Sequence, residues 1–420
     1  VDHGEYAEST YPKRQRLMIV VLEIIIFTYL AGCIFYNLLF SVAGKFFSLK
    51  KKTSADSQTF SKIAILIPAY KEDDIILSAV KSYEQLQYPA DKYEVIVIAD
   101  SLKQSTIDAL RADKATVIPV SFEKSTKAKS LNVAFAQLDD QAYDMAMIAD
   151  ADNIPAPDFL LKINGAYQQG WHAIQAQRVA KNLDTPFAIL DAANEIIANH
   201  INRKGANALG LSASLIGSGI AFHYPLIRQA LKETEATGGF DKVLQQLIVD
   251  KGYTILYLEE ALIFDEKVEN AAAFENQRKR WLSSQFVYLR QYFSKGFKSL
   301  LHGRIDYFYM AVGQNMLLPR MLLLAGTLAM TLVYIVFGKW LHIPLYAWLL
   351  SLAAYAVSLL LPLPGKFYSR YFVTVLLNLP RVIGIMLSLV FKLKGANKTF
   401  IHTKHSKTNI DNPLINVSGK

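Results

Sequence analysis

Cysteine is almost absent from this 420-residue chain: Cys33 stands alone, inside an apolar run. A single thiol excludes an intramolecular disulfide and a cysteine-built metal site. Four signatures are missing as well. No GxxxxGK[ST] loop and no GxGxxG follows the first strand-like run, which argues against nucleotide folds of the kinase or dehydrogenase type. No HExxH and no GxSxG elbow is present, so zinc-peptidase and serine-hydrolase chemistry have no footing. Acids are fewer than bases, 36 against 45, for a formal charge of +9. Such an excess suits an anionic membrane surface or phosphate-bearing ligands and does not by itself indicate nucleic acid.

Apolar residues make up 52% of the chain, and they are concentrated in a few runs. The run 17–44, LMIVVLEIIIFTYLAGCIFYNLLFSVAG, contains one acid, Glu23. Roughly 20 residues cross the hydrocarbon core of a bilayer, so this run spans one even when tilted. It is longer than a signal-peptide core and lacks a small-residue cleavage site, and it reads as an uncleaved anchor. Runs 317–338 and 343–364, joined by KWLH, read as a helical hairpin. Run 371–391 is interrupted by Pro380 and Arg381 and reads as an interfacial or re-entrant helix. Lys45, Lys50, Lys51 and Lys52 follow the anchor, and Lys366, Arg370, Arg381, Lys392 and Lys394 follow the hairpin, whose own link carries only Lys339. Positive charge marks the cytoplasmic side, so three spans place the large domain and the C-terminal tail in the cytoplasm. Lys13, Arg14 and Arg16 pull the other way. The expected organisation is a tail and anchor over 1–44, a cytoplasmic domain ending in interfacial helices over 45–305, a transmembrane hairpin over 306–366, and an interfacial or re-entrant helix with a basic tail over 367–420.

From residue 62 the pattern alternates. KIAILIPAY, YEVIVIAD, ATVIPV and DMAMIAD are short continuous apolar runs, and DDIILSAVKSYEQL, SLKQSTIDALRA and AKSLNVAFAQL between them read as helices. This predicts an α/β fold with a mostly parallel sheet covered by helices on both faces. Ligands of such sheets lie beyond the C-terminal strand ends. Those ends collect acids: PAYKED after the first run, Asp100 after the second, Asp150 and Asp152 after the fourth. Crowded carboxylates are costly to bury unless a cation or hydrogen-bond donors neutralise them. Each acid singly is an ordinary loop residue; together they mark a site.

In this order, PAYKED, Asp100, KAKSLN, DADN, GSGIAF, GGFDK and QRKRW resemble the motif series of family-2 glycosyltransferases. The pattern is most similar to the membrane-embedded branch that includes cellulose, chitin and hyaluronan synthases. The resemblance covers roughly residues 62–285. It implies a GT-A-type sheet flanked by transmembrane helices, an inverting transfer from a UDP-sugar, and Mg2+ or Mn2+ as cofactor. By the same resemblance, Pro68, Ala69, Tyr70 and Glu72 line the uracil pocket, Asp100 holds the base or ribose, and Lys127 reaches the nucleotide. Asp150 and Asp152 are the metal-binding pair, Asp150 also facing the nucleotide. Gly217, Ser218 and Gly219 shape the acceptor side, and Asp241 is the general base. Gln277, Arg280 and Trp281 form QxxRW at the mouth of the membrane part, the first two toward the nucleotide and Trp281 toward the acceptor. The family usually carries two acids where this chain has Phe240-Asp241. The spacing to Gly252-Tyr253 selects Asp241 over Asp250, which lies nine residues on and, at roughly 100° per residue, half a circle away.

The expected partners are a UDP-sugar donor, a saccharide or lipid acceptor, the bilayer, and a second copy or accessory subunit to complete a channel that three spans leave thin. The first reading is extension of a β-linked polysaccharide, which QxxRW favours. The second is addition of one sugar to a lipid such as ceramide or a polyprenyl phosphate, which the small membrane part favours. The third, an inactive transport or scaffold subunit, is opposed by the retained acids and Lys127. The tail KLKGANKTFIHTKHSK reads as lying on a membrane surface, with closure over a bound nucleotide as the alternative.

Overall fold

A computed structural model describes residues 13–47, 59–234, 239–392 and 405–415. The chain divides into two units, Val1–Leu39 with Leu318–Leu361, and Phe40–Leu317 with Pro362–Lys420.

The second unit is built on eight strands: β1 (Ile63–Tyr70), β2 (Tyr93–Asp100), β3 (Thr116–Val120), β4 (Met145–Ile148), β5 (Ile154–Pro155), β6 (Ala173–Ala180), β7 (Ile220–His223) and β8 (Leu256–Asp265). Their order across the sheet is β3-β2-β1-β4-β7-β6-β8-β5. The four apolar runs become β1 to β4, paired in parallel. Their continuous apolarity has the expected cause, since Ile63 to Ile67 are all sealed from solvent. Helices Ile76–Ser82, Gln104–Ala112 and Lys127–Gln137 occupy the intervening stretches. β7 runs against β4 and β6, so its first residue, Ile220, sits opposite Ile148 at the end of β4. The reversal brings the loop before β7 to the edge where the acids collect. β6 pairs in parallel with β8, and Asp265 ends that strand at the same edge. Gly219 makes this packing possible: its φ is +61°, and a Cβ there would lie 2.7 Å from Ile263 on β8.

In the first unit, Glu23 is buried and satisfied. Tyr334 Oη donates to it at 3.0 Å and the backbone N–H of His342 at 2.8 Å. Trp348 packs there against Phe27 and Tyr334.

Three helices among the described residues are long and apolar enough to cross a membrane: Arg16–Phe46, Arg320–Trp340 and Phe372–Phe391. The last differs from the expectation of a run broken at Pro380. It is one continuous 20-residue helix with Pro380 inside it. Proline removes a single N–H from the ladder, which an apolar helix packed on neighbours tolerates. Val382, Met386 and Leu389 form its buried stripe. The second hairpin helix, Leu345–Leu360, is the short one at 16 residues.

Candidate active site

β1 and β2 end side by side, Tyr70 opposite Asp100. Both chains then turn sharply: Lys71 (φ 56°) and Ser101 (φ 59°) adopt left-handed backbone that residues other than glycine seldom use. The Lys71 N–H donates to the Asp100 carbonyl at 3.1 Å and helps fix the turn. Asp100 is 1% exposed. Its Oδ1 accepts from Ser101 Oγ at 3.0 Å, while Oδ2 is buried with no partner. A buried acceptor left empty costs about 1–3 kcal/mol, and a ligand N–H or O–H would satisfy it. Pro68 and Ala69 lie in β1 beside it. Glu72, buried just beyond, accepts from His405 Nδ1 at 2.9 Å.

Asp150 and Asp152 follow β4. Lys127, the first residue of its helix behind the cap Thr126, reaches Asp150 Oδ1 at 2.5 Å and the Gly217 carbonyl at 2.7 Å. One ammonium thus ties Asp150 to the loop Gly217–Ser218–Gly219, in which Ser218 Oγ is buried and has no partner among the described residues. Asp152 accepts from Asn153 Nδ2 at 3.2 Å and the Glu266 N–H at 2.8 Å.

A third carboxylate, not singled out from the sequence, completes the group: Asp150, Asp152 and Asp265 bring one oxygen each within 4.8 Å of one another. Burial, then the Asp265 charge, pushes the Asp152 carboxyl up. Burial would raise Asp265 too, but Arg178 at 3.6 Å and Lys267 at 2.7 Å outweigh it and hold its carboxyl well below the usual range. Glu195 closes this buried network by pairing with both cations. Three hard oxygens around one point are the donor set of a divalent cation such as Mg2+ or Mn2+.

Residues 405–412 lie beside this cluster, while 393–404, most of the basic tail, lie outside the described residues. Ser406 and Lys407 N–H groups donate to Glu266 at 2.9 and 2.7 Å. Lys181 Nζ bridges the Asp152 and Lys407 carbonyls at 2.6 and 2.8 Å. Lys407 Nζ sits 2.7 Å from both Asp184 and Glu269, and Asn412 Nδ2 donates to the Ala180 carbonyl at 2.7 Å. Burial would lower His405, but its hydrogen bond to Glu72 and the Asp152 charge raise it to about 10. His402 lies outside the described residues.

Asp241 stands in the first turn of helix Phe240–Asp250. Among the described residues it makes no hydrogen bond or ion pair. Asp250 is occupied: Lys295 at 2.5 Å and Arg304 at 3.0 Å overcome burial and lower its carboxyl. Gly239 (φ 68°) precedes Asp241 so closely packed that a Cβ would come 2.6 Å from Tyr288 and 3.3 Å from Ser284. Those two residues belong to helix Ala271–Leu301. Gln277, Arg280, Trp281, Ser284 and Tyr288 recur at helical spacing along one face, of which the Ser284–Tyr288 part packs against Gly239. Gln277 Oε1 is buried and unpartnered, and burial pulls Arg280 down. Trp281 is 46% exposed, with the Arg278 guanidinium 4.3 Å from its ring centre. Arg278 itself is buried and paired with Asp191. The structure thus brings Tyr70, Asp100, Lys127, Asp150, Asp152 and Gly217 together at the sheet edge, while Asp241 stands on helix Phe240–Asp250 and Gln277, Arg280 and Trp281 on helix Ala271–Leu301.

Comparison with known proteins agrees with this architecture. The profile of the family described as "Glycosyltransferase like family 2" matches residues 61–284. YdaM of Bacillus subtilis (strain 168), named a probable glycosyltransferase, is 23% identical over 272 residues, which are 59% of this chain and 62% of that protein; the chain thus spans less than two thirds of that relative. Among solved structures, the mannosyltransferase PcManGT from Pyrobaculum calidifontis, in complex with GDP-Man and Mn2+, superposes with a TM-score of 0.51 at 18% identity, over 89% of this chain and 98% of that one. At that identity the likeness is one of fold. Glucosyl-3-phosphoglycerate synthase from Mycobacterium tuberculosis, in complex with Mn2+, UDP and its glucosyl product, matches 50% of this chain and 72% of that one at 17% identity and a TM-score of 0.32. The family profile covers more than half of the sequence and the sheet has the GT-A-like arrangement, so this chain belongs to the glycosyltransferase-like family 2.

Proposed function

We propose that this protein is a membrane-bound inverting glycosyltransferase that moves a sugar from a UDP-sugar onto a growing β-linked polysaccharide. The observation that carries the reading is the cluster of Asp150, Asp152 and Asp265 at the sheet edge where Asp100 keeps a buried oxygen empty. Asp100 accepts a hydrogen bond from the nucleoside, beside Pro68, Ala69, Tyr70 and Glu72. Asp150, Asp152 and Asp265 would hold a divalent cation, which when bound would supply positive charge against the charge that builds on the leaving diphosphate. Lys127 and Arg280 add charge-assisted hydrogen bonds to phosphate oxygens. Asp241, which makes no hydrogen bond or ion pair among the described residues, takes the proton of the acceptor hydroxyl. The acceptor oxygen bonds to the anomeric carbon as the bond to the diphosphate oxygen breaks, and the electron pair leaves with UDP. A single displacement turns an α-linked donor into a β-linked product. Trp281 offers an apolar face to a sugar ring, and the loop Gly217–Ser218–Gly219 shapes the acceptor side.

The three long apolar helices support anchoring in a bilayer. The distribution of lysine and arginine supports a cytoplasmic catalytic domain and tail, and a second copy or accessory subunit would complete a channel. The small membrane part keeps transfer of a single sugar to a lipid as the second reading.

The test offers radiolabelled UDP-sugars, with GDP-mannose as a further arm, to detergent-solubilised protein with Mg2+ or Mn2+, and sizes the product. The expected result is metal-dependent transfer from one UDP-sugar into a ladder of lengths, lost in Asp241→Asn. A single lipid-linked product selects the second reading, and no transfer from any donor by folded protein selects a scaffold.

A further inference from the structure

We infer that Asp191 and Arg278 are a positioning pair, which holds the Trp281 ring that receives the acceptor sugar in a fixed place relative to the carboxylate cluster. The inference rests on the transferase reading above and adds two residues to its acceptor side.

Trp281 is a large ring standing 46% exposed on helix Ala271–Leu301. A half-exposed side chain ordinarily samples several rotamers. Here a cation restrains it. The Arg278 guanidinium lies over two rings of its own helix, 4.3 Å from the Trp281 centre and 4.7 Å from the Phe274 centre. Arginine stacks flat on aromatic faces, and the attraction grows where water is excluded. Arg278 is buried, so its contacts are made in such a place. Its long side chain is in turn held from outside the helix, by the buried carboxylate of Asp191.

Asp191 belongs to helix Pro186–Asn199 and stands four residues before Glu195, so the two carboxylates share one face. Glu195 pairs with Arg178 at 2.7 Å and with Lys267, the two cations that hold Asp265 of the carboxylate cluster. One helix thus carries an acid for each wall: Glu195 toward the cluster, Asp191 toward the helix of Trp281. Its Phe187 packs on Phe274, with ring centres 5.7 Å apart, and joins the same two helices at a second point. A buried ion pair is a poor source of net stability, because desolvation cancels most of the attraction. What it supplies is a directed contact, and two on one helix face set where the ring stands relative to the cluster. Transfer needs that placement, since an error of about 1 Å can cost about 100-fold in rate.

The test compares four full-length, detergent-solubilised proteins: the wild type, Trp281→Ala, the paired variant Asp191→Leu/Arg278→Met, and the three changes combined. The paired variant removes both charges together, because Asp191→Asn alone strands a buried cation and puts folding at risk. Should it not fold, Arg278→Lys takes its place, keeping a charge beside Asp191 without the flat guanidinium. Each protein is titrated with Mn2+ and assayed with the UDP-sugar it turns over and a β-linked oligosaccharide acceptor. The paired variant should keep the wild-type Mn2+ affinity and KM for the UDP-sugar, while KM for the oligosaccharide rises about fivefold. Trp281→Ala should raise that KM further, and in its background the paired change should add nothing. An unchanged oligosaccharide KM in the paired variant, or an added effect in the absence of Trp281, overturns the inference and leaves the transferase reading standing. Weaker Mn2+ binding or a higher KM for the UDP-sugar overturns it too, since the pair would then support the whole site. So does transfer by the wild type to a lipid and not to the oligosaccharide, because no acceptor sugar would then lie on Trp281. No transfer to any acceptor by a wild type that binds Mn2+ overturns the transferase reading and this inference with it.

Discussion

At the scale of single residues, the acids of the cluster are held in opposite ways, and their substitutions should differ accordingly. Asp265 is locked between Lys267 and Arg178 in a sealed network. Asp265→Asn leaves two buried cations with Glu195 as their remaining carboxylate, and should cost about 3 kcal/mol or more in thermal or chemical unfolding. The Asp150 side chain is 36% exposed and touches one lysine. Asp150→Asn should leave the unfolding midpoint almost unchanged while abolishing Mn2+ binding in a titration. The legibility of the two also differs. Asp150 could be read from the sequence because an apolar run stops on it. LYLEEALIFD stops on Asp265 in the same way. What the sequence does not carry is the pairing of β8 with β6, which brings that end to β4 across two other strands. Asp100, Lys127 and Asp241 are singled out by motif alone, whereas the empty Asp100 oxygen required the fold.

At the scale of elements, the helix that presents Asp241 is pinned at its far end. Asp250 ends that helix and bonds Lys295 of helix Ala271–Leu301 together with Arg304. These bonds lower the Asp250 carboxyl against the effect of burial. A depressed carboxyl contributes stability that is present above its unfolded value, about pH 4, and is lost as pH falls through the lower folded value. Asp250→Asn should therefore cost about 1 kcal/mol near neutral pH, since the pair is partly solvated, and the difference should shrink as pH falls below the unfolded value of about 4. Denaturant titrations of both proteins at neutral and at acid pH measure it. The first four strands were legible because parallel, doubly covered strands are apolar throughout. The direction of β7 was not, since IAFH reads the same either way. The helix through Pro380 was misread because local propensity, which disfavours proline, is overruled by packing along Val382, Met386 and Leu389.

At the scale of the whole molecule, apolar runs announced the helices long and apolar enough to cross a membrane, while the contacts of the tail were hidden. Its basic composition reads as a surface-seeking segment, and no periodicity foretells that Lys407 fits between Asp184 and Glu269. Ending the chain after residue 404 should weaken Mn2+ binding and raise KM for the nucleotide sugar, with the far-ultraviolet circular dichroism spectrum retained. An unchanged KM would show that the segment is a passive covering. Its position along the chain has one more effect. His405 to Asn412 are translated after the helix Phe372–Phe391, so a ribosome must extrude that whole helix before the rim of the carboxylate cluster can be assembled. From the completion of β8 until that segment emerges, the nascent polypeptide therefore carries an unfinished cleft.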